Sequence, residues 1–171
     1  MELWDAIRGR RSVRAYTNAP VGRETLDRLI EAALWAPTGG NAQTWRFIVV
    51  TEPARLARLR VVSPGLLGDP PAVIAVCADL HEARRLGSTL GETFLAPTDA
   101  AMAAENVLLA AWAEGLGTCV IASFHRAAAK RLLELHNGVE PLLLVSVGHP
   151  AVVPEPPIRR RSNVVFYEVQ G

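Results

Sequence analysis

Apolar and polar positions along this chain follow two periods. Leu26, Leu29, Ile30, Ala33 and Leu34 recur at spacings of three and four, which predicts an amphipathic helix that Pro37 closes. A short helix over 3–8 precedes it, and the stretch at 10–18 lacks helical periodicity and reads as extended. Continuous apolar runs at 47–51, 72–78, 118–122 and 142–147 have the length and composition of buried strands. Pro53 stands where proline opens a helix, and Asp69, Pro70 and Pro71 break the chain before the second run. From Thr98, read as an N-cap, an alanine-rich helix runs to about Glu114, and Gly115-Leu116-Gly117 stops it. Its apolar character on nearly every face marks it as central. A helix over 126–135 lies between the last two runs.

The segment 80–97 is weakly patterned, with Gly87 and Gly91, and reads as a mobile, partly helical cover. A proline-rich tail over 150–157 leads to Val164-Val165-Phe166-Tyr167, one more strand, placed to join a neighbouring subunit's sheet. There is no internal repeat. The expected architecture is a single α+β domain over 1–171, a central mixed sheet surrounded by helices.

At 171 residues the chain suits one domain, and half of it is apolar while a fifth is charged. A net charge of +1 weighs against wholesale nucleic-acid binding, which calls for a domain-wide basic excess. Cys77 and Cys119 lie in apolar runs without CxxC spacing, and read as buried reduced thiols. His81, His125, His136 and His149 show no metal-ligand spacing, so no metal site is expected. The start has no basic region followed by an apolar core, and no apolar run approaches spanning length. The expectation is a cytoplasmic protein without membrane contact.

Against that neutral background, Arg10-Arg11-Ser12-Val13-Arg14 is a local concentration of cation. Three guanidiniums so close repel one another unless they point into water or converge on an anion. Each charge-assisted bond to a phosphate is worth about 1.5–3 kcal/mol, against under about 1 kcal/mol for a surface pair. Arginine suits bidentate phosphate contact, and a second run, Arg159-Arg160-Arg161, lies near the other end. A fold that joins both runs could hold a phosphorylated cofactor. The loop 37–45 carries Gly39 and Gly40, which permit close backbone approach. Asn41 and Gln43 add amides suited to a planar heterocycle, and Trp45 behind them reads as a packing anchor.

Several familiar signals are absent. The glycines of GLGTCV follow a helix and precede a strand, the reverse of a dinucleotide-binding turn. There is no GxxxxGK[ST] loop, no GxSxG elbow and no HExxH pair.

In order and spacing, RRSVR, WAPTGGNAQTWRF, the long helix with Asn106, GLGTCVIASF, the VGHP turn and the arginine tail resemble the nitroreductase family of FMN-dependent oxidoreductases. The resemblance covers essentially the whole chain. It implies that Arg10, Arg11, Ser12 and Arg14 hold the FMN phosphate and ribityl chain, with Arg159 and Arg160, or Arg161, closing from the far end. Pro37, Thr38, Gly39, Asn41 and Gln43 would face the flavin of the partner subunit in a homodimer that exchanges its C-terminal strand. Ile121, Ala122 and Ser123 would offer backbone groups to the isoalloxazine. Arg14 is assigned either to the anionic edge of the reduced ring or to simple phosphate or ribityl contact.

The chain departs from the family pattern at Thr44, where proline is frequent, and at Arg161-Ser162-Asn163. The implied activity is hydride transfer from NADH or NADPH through FMN to a nitroaromatic, quinone or enone, with no side chain as chemical catalyst. The alternatives are a specialised flavin reaction on the same fold, or flavin binding without turnover.

Overall fold

The computed structural model describes residues 1–160, 162 and 164–168. Four strands form one sheet: β1 (Trp45–Val50), β2 (Ala72–Asp79), β3 (Gly117–Ile121) and β4 (Val139–Gly148), in the order β1-β2-β4-β3. Among the described residues six α-helices accompany them: α1 (Leu3–Gly9), α2 (Arg23–Leu34), α3 (Pro53–Val61), α4 (Leu80–Leu90), α5 (Ala96–Ala113) and α6 (Arg126–Leu132).

β2 shows why its sequence is apolar without a break. Ala72, Ile74, Val76 and Ala78 face one cluster, with Leu26, Leu29 and Ala33 of α2 and Ala100, Ala103 and Val107 of α5. Val73, Ala75 and Cys77 face the other, with Leu56 and Leu59 of α3 and Ala129 of α6. A period of two with both faces covered leaves no polar position. Full burial of Leu29, Leu59 and Ile74 contributes about 1.5–3 kcal/mol per side chain. Cys77 and Cys119 are buried free thiols, and burial pushes Cys77 up to about 12.

The α+β class holds, but the sheet is antiparallel rather than mixed. All three strand pairs run antiparallel, and the parallel pairing among the described residues is an isolated bridge, Ser12 to Thr118. Register shifts between Val76 and Cys77, opposite Leu143 and Pro141. Pro141 has no N–H to give the ladder, which accounts for the irregularity.

Three further expectations change. Residues 164–168 form no strand within the single chain, where Val165 and Tyr167 are exposed. The segment 80–97 is helical on both sides of a break at Gly87 and Ser88, as α4, a π-helical turn (Gly91–Leu95) and the start of α5. Asp79 caps α4 by accepting the Glu82 N–H at 3.0 Å. An acid three residues before a glutamate is a helix-start signal that was there to be read. A kink at Gly87 and Ser88, with Ser88 at φ 55°, turns α4 back on itself. Thr98 is no N-cap: the chain reaches it already helical, and its hydroxyl donates back to the Phe94 carbonyl at 2.6 Å.

Candidate functional site

The arginine run is held against β3 as a strand-like edge. Val13 is fully buried and its N–H donates to the Thr118 carbonyl at 2.9 Å. Gly117 makes this approach possible, because a Cβ there would lie 2.7 Å from three carbons of the Val13 side chain. The Tyr16 hydroxyl donates to the Val13 carbonyl at 2.6 Å and lies 2.7 Å from Ser146 Oγ, whose single proton is shared between the Tyr16 oxygen and the Cys119 carbonyl. Burial pushes the Tyr16 phenol up to about 12, so it stays protonated and can donate.

The same segment recruits the tail. Thr17 N–H donates to the His149 carbonyl and Ala151 N–H to the Ala15 carbonyl, both at 2.9 Å, around an antiparallel bridge of Tyr16 with Pro150. That pairing lays residues 154–159 over the arginines. A cleft of about 390 Å³ results, lined by Arg10, Arg11, Ser12 and Arg14 from one end of the chain and by Pro154, Glu155, Pro157 and Arg159 from the other.

The arginines are not equivalent. Arg11 Nη1 donates to the carbonyls of Arg8, Gly9 and Arg10 at 2.7–2.8 Å, closing the C-terminus of α1. Arg10 Nε lies 3.1 Å from Glu105 Oε1 on α5 yet out of hydrogen-bond alignment, a buried donor without an acceptor. Arg14 is exposed and makes one long contact, 3.4 Å to the Ser12 carbonyl. Arg160 is exposed and does not line the cleft. Arg161 lies outside the described residues. Four arginines around one cleft fit an anion of phosphate type, although Glu155 in the wall opposes one.

The loop over 37–43 is built separately. Gly40, Asn41 and Gln43 have φ of 59°, 55° and 50°, left-handed positions on either side of a right-handed Ala42, of a kind that glycine and asparagine tolerate best. Gln43 N–H donates to Thr38 Oγ1 at 3.3 Å and its amide to Asn41 Oδ1 at 2.9 Å. Pro37, Asn41 and Gln43 are exposed, whereas Trp45 is buried beside Phe47, as expected of a packing anchor. Asp99 of α5 ties the loop down by accepting the Gly39 N–H with both oxygens, and its burial raises its pKa. The loop and Asp99 line a second cavity of about 320 Å³ that shares no residue with the arginine cleft.

At the end of β3, the Ile121 side chain is buried in the core, while Ala122 and Ser123 are exposed. A loop that sequence reading passed over clamps this region. A Cβ on Gly65 would meet Ser123 Oγ at 2.2 Å, and one on Gly68 would meet the Arg14 carbonyl at 2.0 Å. Tyr16, Asp99 and Glu155 were also missed. Tyr16 and Asp99 take their roles from Ser146 and Gly39, and Glu155 from the arginines it faces, all distant in sequence, so no local pattern marks them.

Comparison with known proteins follows from this geometry. The family model described as Nitroreductase family matches residues 7–63 and 59–149. A Bacillus subtilis protein named FMN reductase (NADPH) is 30% identical, with 96% of this chain and 72% of that protein covered. A nitroreductase family protein of Clostridium difficile is similar in structure, with a TM-score of 0.85, 26% identity and 99% of each chain covered. The NADPH:FMN oxidoreductase of Vibrio harveyi, solved with NAD+, has a TM-score of 0.86 and 25% identity, covering 99% of this chain and 77% of its own.

Proposed function

Because this chain belongs to the nitroreductase family, we propose that it is an FMN-dependent oxidoreductase. It would carry hydride from NADH or NADPH to an electron-poor acceptor such as a nitroaromatic, quinone or enone, in a ping-pong cycle. The observation that carries this reading is the convergence of Arg10, Ser12, Arg14 and Arg159 on one cleft. Similarity to proteins named FMN reductase and NADPH:FMN oxidoreductase supports it.

In this reading Arg10, Arg14 and Arg159, with the Ser12 hydroxyl, hold the phosphate and ribityl chain. Arg11 holds the segment itself, and Arg160 contributes charge from outside the cleft. Backbone groups at Ile121, Ala122 and Ser123 border the isoalloxazine. Bound FMN supplies the two-electron chemistry, and the chain supplies position and charge. The exposed loop Pro37, Thr38, Gly39, Asn41 and Gln43 serves the flavin held by the other copy of a homodimer. Its separation from the arginine cleft within one chain supports that arrangement. So does exposed apolar surface on α1 and just past α2: Trp4 is 64% exposed and Trp35 79%.

Purified protein is expected to be yellow or to take up FMN, to run as a dimer by light scattering, and to lose flavin absorbance on anaerobic mixing with NADH or NADPH. Colourless protein that refuses added FMN would overturn the reading. Flavin that neither nucleotide reduces would exclude the reductase and leave a specialised flavin reaction or flavin binding without turnover.

A further inference from the structure

The cavity under the glycine–amide loop carries a chemical preference of its own. Leu86, Leu95, Ala83 and Ala96 wall it with apolar surface, Gly39 and Gly87 add no side chain, and Asn41 and Thr44 add neutral polar groups, which leaves about 320 Å³, room for a single aromatic ring. Asp99 is 3% exposed and alone among the lining residues carries a charge. Both its oxygens share a single neutral donor, the Gly39 N–H, at 3.2 and 3.3 Å. An ionised carboxylate has about four acceptor positions, so most of its capacity is unused. A buried carboxylate with so few donors keeps acceptor positions free for any donor that reaches it. The guanidiniums of neighbouring elements are engaged elsewhere: Arg46 with Glu82 and Asp79, Arg84 with Glu92.

We propose that this cavity seats the acceptor and selects flat aryl compounds bearing an N–H donor, amides and amidines, over aryl carboxylates, with Asp99 as the selecting residue. An N–H donor completes the acceptor sites that Gly39 leaves open. An aryl carboxylate brings a second negative charge against a buried one with no cation in the wall to offset it. The word acceptor rests on the oxidoreductase reading above. The charge preference rests on the cavity alone.

The test is binding and not turnover. Benzamidine, benzamide and benzoate are titrated into the full chain, with and without FMN, and followed by amide chemical shifts. Benzamidine and benzamide are expected to bind at least about tenfold tighter than benzoate, a difference that one charge-assisted contact provides. The shifts are expected to centre on Gly39, Ala42, Gly87 and Gly91. Asp99→Asn keeps the volume and an acceptor for Gly39, and should bring benzoate within about threefold of benzamide. Equal binding of benzoate by the unaltered protein, shifts centred elsewhere, or an undiminished preference in Asp99→Asn would each overturn the proposal. Protein that refuses FMN yet shows the preference sinks the flavin reading and keeps the cavity. Yellow, NADH-reducible protein without the preference does the reverse.

Discussion

Gly117→Ala puts the physical link between fold and site under direct test. The new methyl would lie 2.7 Å from Val13 Cβ, Cγ1 and Cγ2. Carbon atoms rest at about 3.5–4.0 Å, so the two segments must part by roughly 1 Å. Neither partner can swing into solvent, because Val13 is fully buried and Gly117 is buried on the β3 edge. Overpacking of this kind costs about 1–3 kcal/mol, and about 2–4 °C of Tm per kcal/mol in a domain of this size. Displacement of Val13 carries its neighbours Ser12 and Arg14 with it, and the 2.9 Å bond to Thr118 should lengthen. Thermal unfolding and FMN titration on the same preparations measure both effects. Val13→Ala in the Gly117→Ala background removes two of the three contacts and should recover part of each loss. A Gly117→Ala protein that matches the parent in Tm and FMN affinity refutes the reasoning. Lower Tm with unchanged affinity would separate the packing from the site.

Tyr16→Phe removes the donor to the Val13 carbonyl and should cost about 1–3 kcal/mol, read by urea unfolding. Because burial holds the Tyr16 pKa at about 12, above its usual 10, its contribution is complete below about 10 and lost as pH rises through about 12. Spectroscopic titration of the phenols should show one group ionising last, absent from Tyr16→Phe. Arg11→Ala should lower stability by about 0.5–1.5 kcal/mol through the freed carbonyls of α1 while sparing flavin affinity. Arg14→Ala, exposed and nearly free, should do the opposite, and FMN equilibrium dialysis beside thermal melts distinguishes them. Asp99 has a raised pKa, so its contribution to stability is present below its unfolded pKa and lost as pH rises through the folded value. Asp99→Asn should therefore equal or exceed the parent in Tm at neutral pH, with the gap closing on acidification.

Most of the regular elements were legible because their cause is local. The apolar run at 72–78 is a strand covered on both faces, and the three-and-four spacing of Leu26 to Leu34 is a helix lying on a core. The helical nature of 80–95 was equally local, carried by Asp79 and Glu82, and was obscured by Gly87 and Gly91. What stayed hidden depends on partners brought from elsewhere. Thr98 has the composition of an N-cap, yet the preceding π-helical turn has already used the positions a cap would serve.

The chain by itself determined which chemistry is available: arginines for an anion, a glycine–amide loop for a planar ring, and the ordered motifs of a family. Local composition and spacing suffice for that. Only the tertiary structure decided which arginines share a cleft, since the bridge of Tyr16 with Pro150 and the missing side chain at Gly117 bring the two runs together. It also turned Arg11 inward to its own helix, separated the loop from the cleft, and set Asp99 in the lining of a largely apolar cavity. Those outcomes follow from sheet order and burial, where a contact between distant residues is fixed by packing and by the need to satisfy buried polar groups.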